Sequence, residues 1–206
     1  MTLQIDIHPQ NPQERLIRQA VEVVQDGGVV AYPTDSGYAL GCAIGNKEGL
    51  ERIRRIRALG ADHNFTLICR DLSESATYAN FDDRVYRILR AHTPGSYTFI
   101  LRATKEVPRR LLHAKRKTIG LRVPDHRITL ALLGELDGPM MSTTLILPGE
   151  DQPLSEAHDI RARLENQVDL VIDGGFCPSD PTTVVDLTEA APRLLRLGKG
   201  DPAPFR

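Results

Sequence analysis

Three features of the chain predict an α/β fold built on a mixed sheet. Strand-like and helix-like stretches alternate over most of the 206 residues, the pattern of a layered α/β protein. After the last helical stretch only short strands remain, which adds antiparallel pairing to the sheet. Hydrophobic residues at 41% and charged residues at 26% give an ordinary globular balance, and the length suffices for a sizeable core. No repeat or low-complexity segment interrupts the pattern. The polar stretch 147–156, "LPGEDQPLSE", has the length of an ordinary loop. One domain over residues 1–206 is therefore expected.

The elements follow in order. Residues 2–7 alternate as a strand does. Asn11-Pro12-Gln13-Glu14 reads as a helix start, with Asn11 as N-cap, Pro12 at the first helical position and Glu14 closing a capping box. Leu16, Ile17, Ala20, Val21 and Val24 form one apolar stripe, which Gly27-Gly28 ends. A strand is expected at 29–32, a helix at 47–59 with Leu50, Ile53 and Ile56 inward, and a strand at 65–69. A helix at 82–92 precedes strands at 97–102 and 118–123. A helix near 127–136, a strand at 140–144 and a charged helix at 156–166 follow. Strands at 168–172, 182–187 and 193–196 close the chain.

Charge and cysteine content exclude several classes. The net charge is −1, so bulk charge does not mark a polyanion binder. The three cysteines, Cys42, Cys69 and Cys177, lack CxxC spacing, which argues against a disulfide scaffold or a zinc site and for a reducing compartment. The start "MTLQIDIHPQ" has neither the basic nor the apolar region of a secretory leader. No apolar run reaches the roughly 18 residues of a membrane span. A soluble, cytoplasmic protein without membrane association is expected. Residues 102–127 nevertheless hold nine Lys and Arg against two Asp and Glu. Two readings stand for this segment: a solvated basic face, or a surface for phosphate or nucleic acid. Few aromatics interleave, so base stacking of the single-strand kind is poorly supported.

"YPTDSGYALGC", residues 32–42, leaves a strand into hydroxyl and glycine residues. Open α/β sheets bind ligands beyond the carboxyl ends of their strands. Thr34, Asp35 and Ser36 can therefore grip a small polar ligand or simply form a turn. The segment is no Walker loop, no GxGxxG fingerprint and no GxSxG elbow. The six histidines show no paired metal-ligand spacing. Gly174-Gly175 reads as a tight turn, with a nearby ligand as the alternative. Arg122, among apolar neighbours in "GLRVP", either snorkels to an edge or points into a cleft at an anion.

Five ordered motifs, "GGVVAYPTDSGYALGC", "TPGSYTFIL", "TIGLRVPDH", "VDLVIDGG" and "TTVVDLTEAAPRLLRLG", resemble the YrdC-like family of threonylcarbamoyl-AMP synthases. The resemblance runs from about residue 4 to residue 200. Within the family the chain is most similar to the YciO branch, on "YPTDSGYALGC", "RIRRIRALGADHNFTLICRDLS" and "EVPRRLL…KRKTIGLRVP". The resemblance implies a twisted, open mixed sheet flanked by helices, with a concave cleft. It implies chemistry on L-threonine, bicarbonate and ATP, serving the t6A modification of tRNA. It also implies a substrate-binding set of Thr34, Thr98, Arg122 and Thr183, the last close to the nucleotide. Arg57, Thr144 and Arg196 form the implied nucleotide-binding set. No catalytic residue is identified.

The departures from the family pattern matter as much. The synthases carry a K-x-R pair after the second helix, and here Arg57 and Leu59 stand at those positions. Their T-S-A-N-L-S-G run is replaced by "TTLILPG", residues 143–149, so Thr144 replaces the Ser and Ile146 the Asn. Arg57 keeps a cation and Thr144 a hydroxyl, whereas Leu59 and Ile146 supply no donor. A lost charged contact costs roughly 1.5–3 kcal/mol. Two such losses weaken transition-state binding by about two to four powers of ten. The expected function is a nucleotide- and RNA-binding protein, for duplex RNA or tRNA, with little synthase activity. The alternative is a synthase-type enzyme or a hydrolase of a related adenylate. The expected ligands are an ATP- or AMP-type nucleotide, with Mg2+ accompanying the triphosphate, and L-threonine, without a tightly bound cofactor. Arg109, Arg110, Lys115, Arg116 and Lys117 are the expected RNA contacts, on a monomer or weak dimer.

Overall fold

The computed structural model describes residues 1–60, 63, 65–113 and 115–205. Its elements are β1 (Leu3–Asp6), α1 (Glu14–Gln25), β2 (Val30–Tyr32), β3 (Ala39–Ala43), α2 (Lys47–Arg57), β4 (Thr66–Ile68), α3 (Leu72–Tyr78), β5 (Ala79–Asn80), α4 (Asp83–His92), β6 (Tyr97–Ala103), β7 (Thr118–Arg122), α5 (Arg127–Glu135), β8 (Met140–Thr144), α6 (Ala157–Leu164), β9 (Leu170–Asp173), β10 (Thr183–Asp186) and β11 (Arg193–Arg196). Among the described residues the strands form one mixed sheet in the order β1-β9-β2-β3-β8-β4-β7-β6-β10-β11, with β5 on β6. The terminal pair β10 and β11 is antiparallel, while β10 runs parallel to β6.

Period-two alternation sorts the side chains onto two faces. Val30, Tyr32, Leu170 and Ile172 pack with Ile17, Ala20 and Val21 of α1 and with Ile128 and Leu132 of α5. Ala31, Leu40, Phe99, Leu121 and Val185 turn to the other face, against Leu50 and Ile53 of α2, Leu89 of α4 and Ile160 of α6. Each fully buried aliphatic side chain contributes about 1.5–3 kcal/mol. Helices α1 and α5 cover only part of the first face. Beyond them, the same face of β4, β7, β6 and β10 stays open, and it carries Thr66, Thr118, Thr98 and Val184. The cleft is this uncovered floor. Gly120 keeps the floor low: a Cβ there would lie 2.7 Å from Thr66 Oγ1 and 3.3 Å from Thr98 Cγ2.

The structure corrects the reading of the first helix. Asn11 is not its N-cap, and Pro12 is not its first residue. The helix begins at Glu14, after Gln13 in extended geometry. His8 is the cause. Its Nδ1 accepts from the backbone N–H groups of Gln10 and Asn11 at 3.2 and 3.1 Å, which folds residues 8–11 into a turn. Three elements lie outside the expected set: β3, α3 and β5. The signal for α3 was present in "RDLSE". Asp71 accepts from Glu74 N at 2.8 Å, and Glu74 Oε2 accepts from Arg70 N at 2.8 Å. This is an acidic variant of the capping box, shifted by one residue on the return bond.

Candidate functional site

The loop between β2 and β3 forms one wall of the cleft. Thr34 staples it: its hydroxyl donates to Gly37 O at 2.6 Å and accepts from Ser36 N at 3.1 Å. The turn needs Gly37, whose φ is +114° and which an L side chain would strain. The turn-forming and cavity-lining readings of this stretch therefore hold together, since Thr34 and Ser36 also line the cavity. From behind, α5 anchors the loop through Thr129 Oγ1, which donates to Pro33 O at 2.6 Å. Gly174-Gly175 lies outside the cavity lining. Tyr38 holds it, donating to Gly175 O at 2.9 Å, and a Cβ on Gly174 would meet Pro33 Cγ at 2.8 Å.

Asp35 points from this loop to Arg122 at the end of β7, and the two form a buried ion pair with side-chain exposures of 8% and 10%. Ser96 Oγ donates to the other carboxylate oxygen at 2.6 Å. Burial would raise the Asp35 pKa, but Arg122 and the Ser96 hydroxyl outweigh it and hold the carboxyl below the ordinary range. Arg122 Nη2 also lies 3.5 Å from Thr34 Oγ1. Its Nε is buried without a partner among the described residues. A buried donor in that state favours an anion in the cleft.

The cavity measures about 500 Å³, within the range of small-molecule sites. Among the described residues its lining holds five arginines, Arg57, Arg116, Arg122, Arg193 and Arg196, together with nine Ser and Thr residues and no Asp or Glu. Of the expected substrate set, Thr34, Thr98 and Arg122 line it. Thr183 does not: its hydroxyl turns away and donates to Gly200 O at 2.6 Å. Thr182 occupies the cleft side instead, 2.8 Å from Thr98 Oγ1, because residues 182 and 184 share one face of the strand. Of the expected nucleotide set, Arg57, Thr144 and Arg196 all line the cavity. Arg57 is already engaged, donating to Ile146 O at 2.6 Å and to Thr143 Oγ1 at 2.9 Å. Leu59 packs against the hydrophobic core and does not line the cavity.

Among the lining residues that the sequence reading did not place in the site, three bear on its chemistry. His63 lies 3.3 Å from Thr143 Oγ1. Burial, then the charges of Arg57 and Arg54, push its pKa down to about 4. Arg193 and Leu195 reach the cleft together with Arg196 because the β10–β11 register shifts between Val184 and Val185. Such a bulge breaks strict alternation and lets neighbouring side chains share a face.

The expected RNA contacts divide. All five are exposed, Arg109 and Arg110 on a single 3-10 turn at Arg109–Leu111, but only Arg116 also borders the cleft. Arg116 lines the cleft and pairs with Asp186 at 3.5 Å. Its acidic partner thus comes from β10, 70 residues on in the chain. Among the described residues no group of three His, Cys, Asp or Glu could hold a metal, and no helix is long and apolar enough to cross a membrane.

Against known proteins, the family model Sua5_yciO_yrdC, described as "Telomere recombination", matches residues 22–198. The chain belongs to the Sua5/YciO/YrdC family. It is 59% identical to YciO of Escherichia coli over 199 residues, 97% of either chain. The crystal structure of that YciO superposes with a TM-score of 0.97 at 57% identity, covering both chains completely. Distant kinship links it to the threonylcarbamoyl-AMP synthase of Pyrococcus abyssi, at 28% identity over 96% of this chain and 58% of that one. The structure of P. abyssi Sua5 complexed with L-threonine gives a TM-score of 0.88 at 26% identity, with 96% and 58% of the two chains covered. Fold and family thus match the expectation of a twisted, open mixed sheet flanked by helices.

Proposed function

We propose that the chain, working as one cytoplasmic domain, binds a nucleotide in the cleft and RNA on the adjoining basic loop, with little synthase activity. The observation that carries this reading is the cavity lining: among the described residues, five arginines and no carboxylate. Such a wall selects a phosphate-bearing ligand. Thr34, Thr98 and Arg122, joined by Thr182, form the end suited to a small hydroxylated carboxylate such as L-threonine. Arg57, Thr144 and Arg196 form the end suited to ATP or AMP, with Mg2+ arriving on the triphosphate. Arg109, Arg110, Lys115, Arg116 and Lys117 take the backbone of duplex RNA or tRNA, which needs no stacking aromatics. Low synthase activity follows from Ile146, which places an apolar group on the cleft wall, and from Leu59, which faces the core.

Similarity to Sua5, whose structure is complexed with L-threonine, favours a second reading: a synthase-type enzyme or a hydrolase of a related adenylate. Pyrophosphate release from ATP with L-threonine and bicarbonate separates the two readings. Turnover near the ordinary enzyme range of about 1 per second or above would overturn the binding-protein reading. For RNA, the test is filter binding of a tRNA and a plain duplex at two salt concentrations. Arg109→Glu with Arg110→Glu should weaken both RNAs and lower the salt slope by about 0.9 per lost phosphate contact, with AMP affinity unchanged. Salt-independent binding, or no effect of the double variant, would leave these residues a solvated face.

A further inference from the structure

We propose that the cleft and the basic loop are one continuous site, which receives the unpaired end of an RNA strand whose duplex part rests on the loop. The proposal rests on the nucleotide- and RNA-binding reading above. Its first observation is a second cavity of about 620 Å³ that shares Arg116, Thr118 and Arg193 with the cleft. The two cavities form one groove, and Arg116 stands at their junction.

The loop itself leads into this groove. His113 Nδ1 accepts from Lys115 N at 3.3 Å and from Arg116 N at 3.2 Å. That turn places Arg116 at the rim of the cleft, where it stays exposed as Lys115 and Lys117 do. Strand backbone phosphates can therefore pass from the exposed Lys115 and Lys117 onto the adjacent Arg116. The second cavity adds Arg102 and contains two carboxylates, Asp186 and Glu189. Asp186 is occupied by Thr188 N and Oγ1 at 2.9 and 2.6 Å and by Arg116. Glu189 lies 4.0 Å from Arg102 and is 80% exposed, so it can swing into water.

Size and closure then fix which part of an RNA enters. A cavity of about 500 Å³ takes one nucleotide and excludes a stacked duplex. Ile100, Val184 and the 46%-exposed Leu195 offer an apolar surface for one base. At the far side stand the buried Thr34 and Ser36 and the Asp35–Arg122 pair. At that wall the Asp35 carboxylate already neutralises Arg122, so a strand entering past Arg116 ends there.

The test is a fluorescence anisotropy competition at one ionic strength. Its probes are a blunt RNA duplex of about 16 base pairs, the length a duplex-binding module spans, and the same duplex with a short 3′ or 5′ overhang. One overhang should bind about tenfold tighter than the blunt duplex, within the range that one base packed on a protein surface supplies. Saturating AMP should remove that advantage and leave the blunt-duplex affinity. Arg102→Ala, at a 67%-exposed side chain, should weaken the overhang probe several-fold and leave AMP binding unchanged. Equal affinity for all three probes, or AMP and the overhang probe binding together without competition, would overturn the proposal alone. If neither AMP nor RNA binds, the underlying reading fails with it.

Discussion

Replacing Asp35 by Asn removes the one carboxylate that neutralises Arg122 while keeping its shape. Both side chains are about nine-tenths buried. Breaking a buried ion pair from one side costs about 3–5 kcal/mol. Arg122 borders the cavity, where water can reach part of the guanidinium, so the lower end applies, about 3 kcal/mol. For a chain of this length that corresponds to a melting temperature lower by about 6–12 °C. Anion binding should move the other way. A phosphate or carboxylate on the free edge of Arg122 sits about 6 Å from the Asp35 carboxylate, a repulsion of about 2–3 kcal/mol at an effective dielectric of 20. Its removal tightens AMP or L-threonine by roughly 30- to 150-fold. Thermal melts with and without ligand, joined to calorimetry, measure both effects. Wild-type melting together with wild-type affinity would refute the reasoning, because the pair would then neither hold the loop nor screen Arg122. The pH sign agrees. The Asp35 pKa is depressed, so its stabilisation is complete above the ordinary carboxylate value of about 3.9 and is lost as pH falls through the folded-state value.

Ile146→Asn places an amide in the cleft beside Arg57 and should tighten ATP, whereas Leu59→Arg removes a half-buried apolar contact with the core and should cost about 1 kcal/mol without any gain in affinity; calorimetry and urea melts on each single variant separate the two outcomes. His63, with a pKa near 4 in the fold against about 6.5 unfolded, should lower stability progressively as pH drops from about 6.5 towards 4, with no further loss from this group below that. His63→Gln should flatten that part of the profile, and an unchanged slope would remove His63 as its source. Burial raises the thiols of Cys42 and Cys69 to about 12 and that of Cys177 to about 11, so a thiol reagent at pH 7 should label none of them natively and all three in denaturant. Rapid native labelling of any one would contradict its burial.

The sequence by itself determined what depends on near neighbours. The stripe in α1 and the strand at 118–123 are local patterns, and each reappears in the fold. The hydroxyl-rich loop after β2 was legible for the same reason, since Thr34 bonds within three residues of itself. Where the chain offered a competing local partner, the reading failed, as when His8 drew Gln10 and Asn11 into a turn. Tertiary structure alone decided the site. Asp35 and Arg122 are 87 residues apart in sequence, and Arg116 and Asp186 are 70 apart. Strand order brings both pairs together, and strand order is set by pairing between distant segments. A single-residue choice of face then separates Thr182, in the cleft, from Thr183, outside it. One bulge brings Arg193, Leu195 and Arg196 to the same wall. These facts follow from register, which shifts every side chain to the opposite face when it slips by one residue, and no window of sequence contains the partner strand that fixes it.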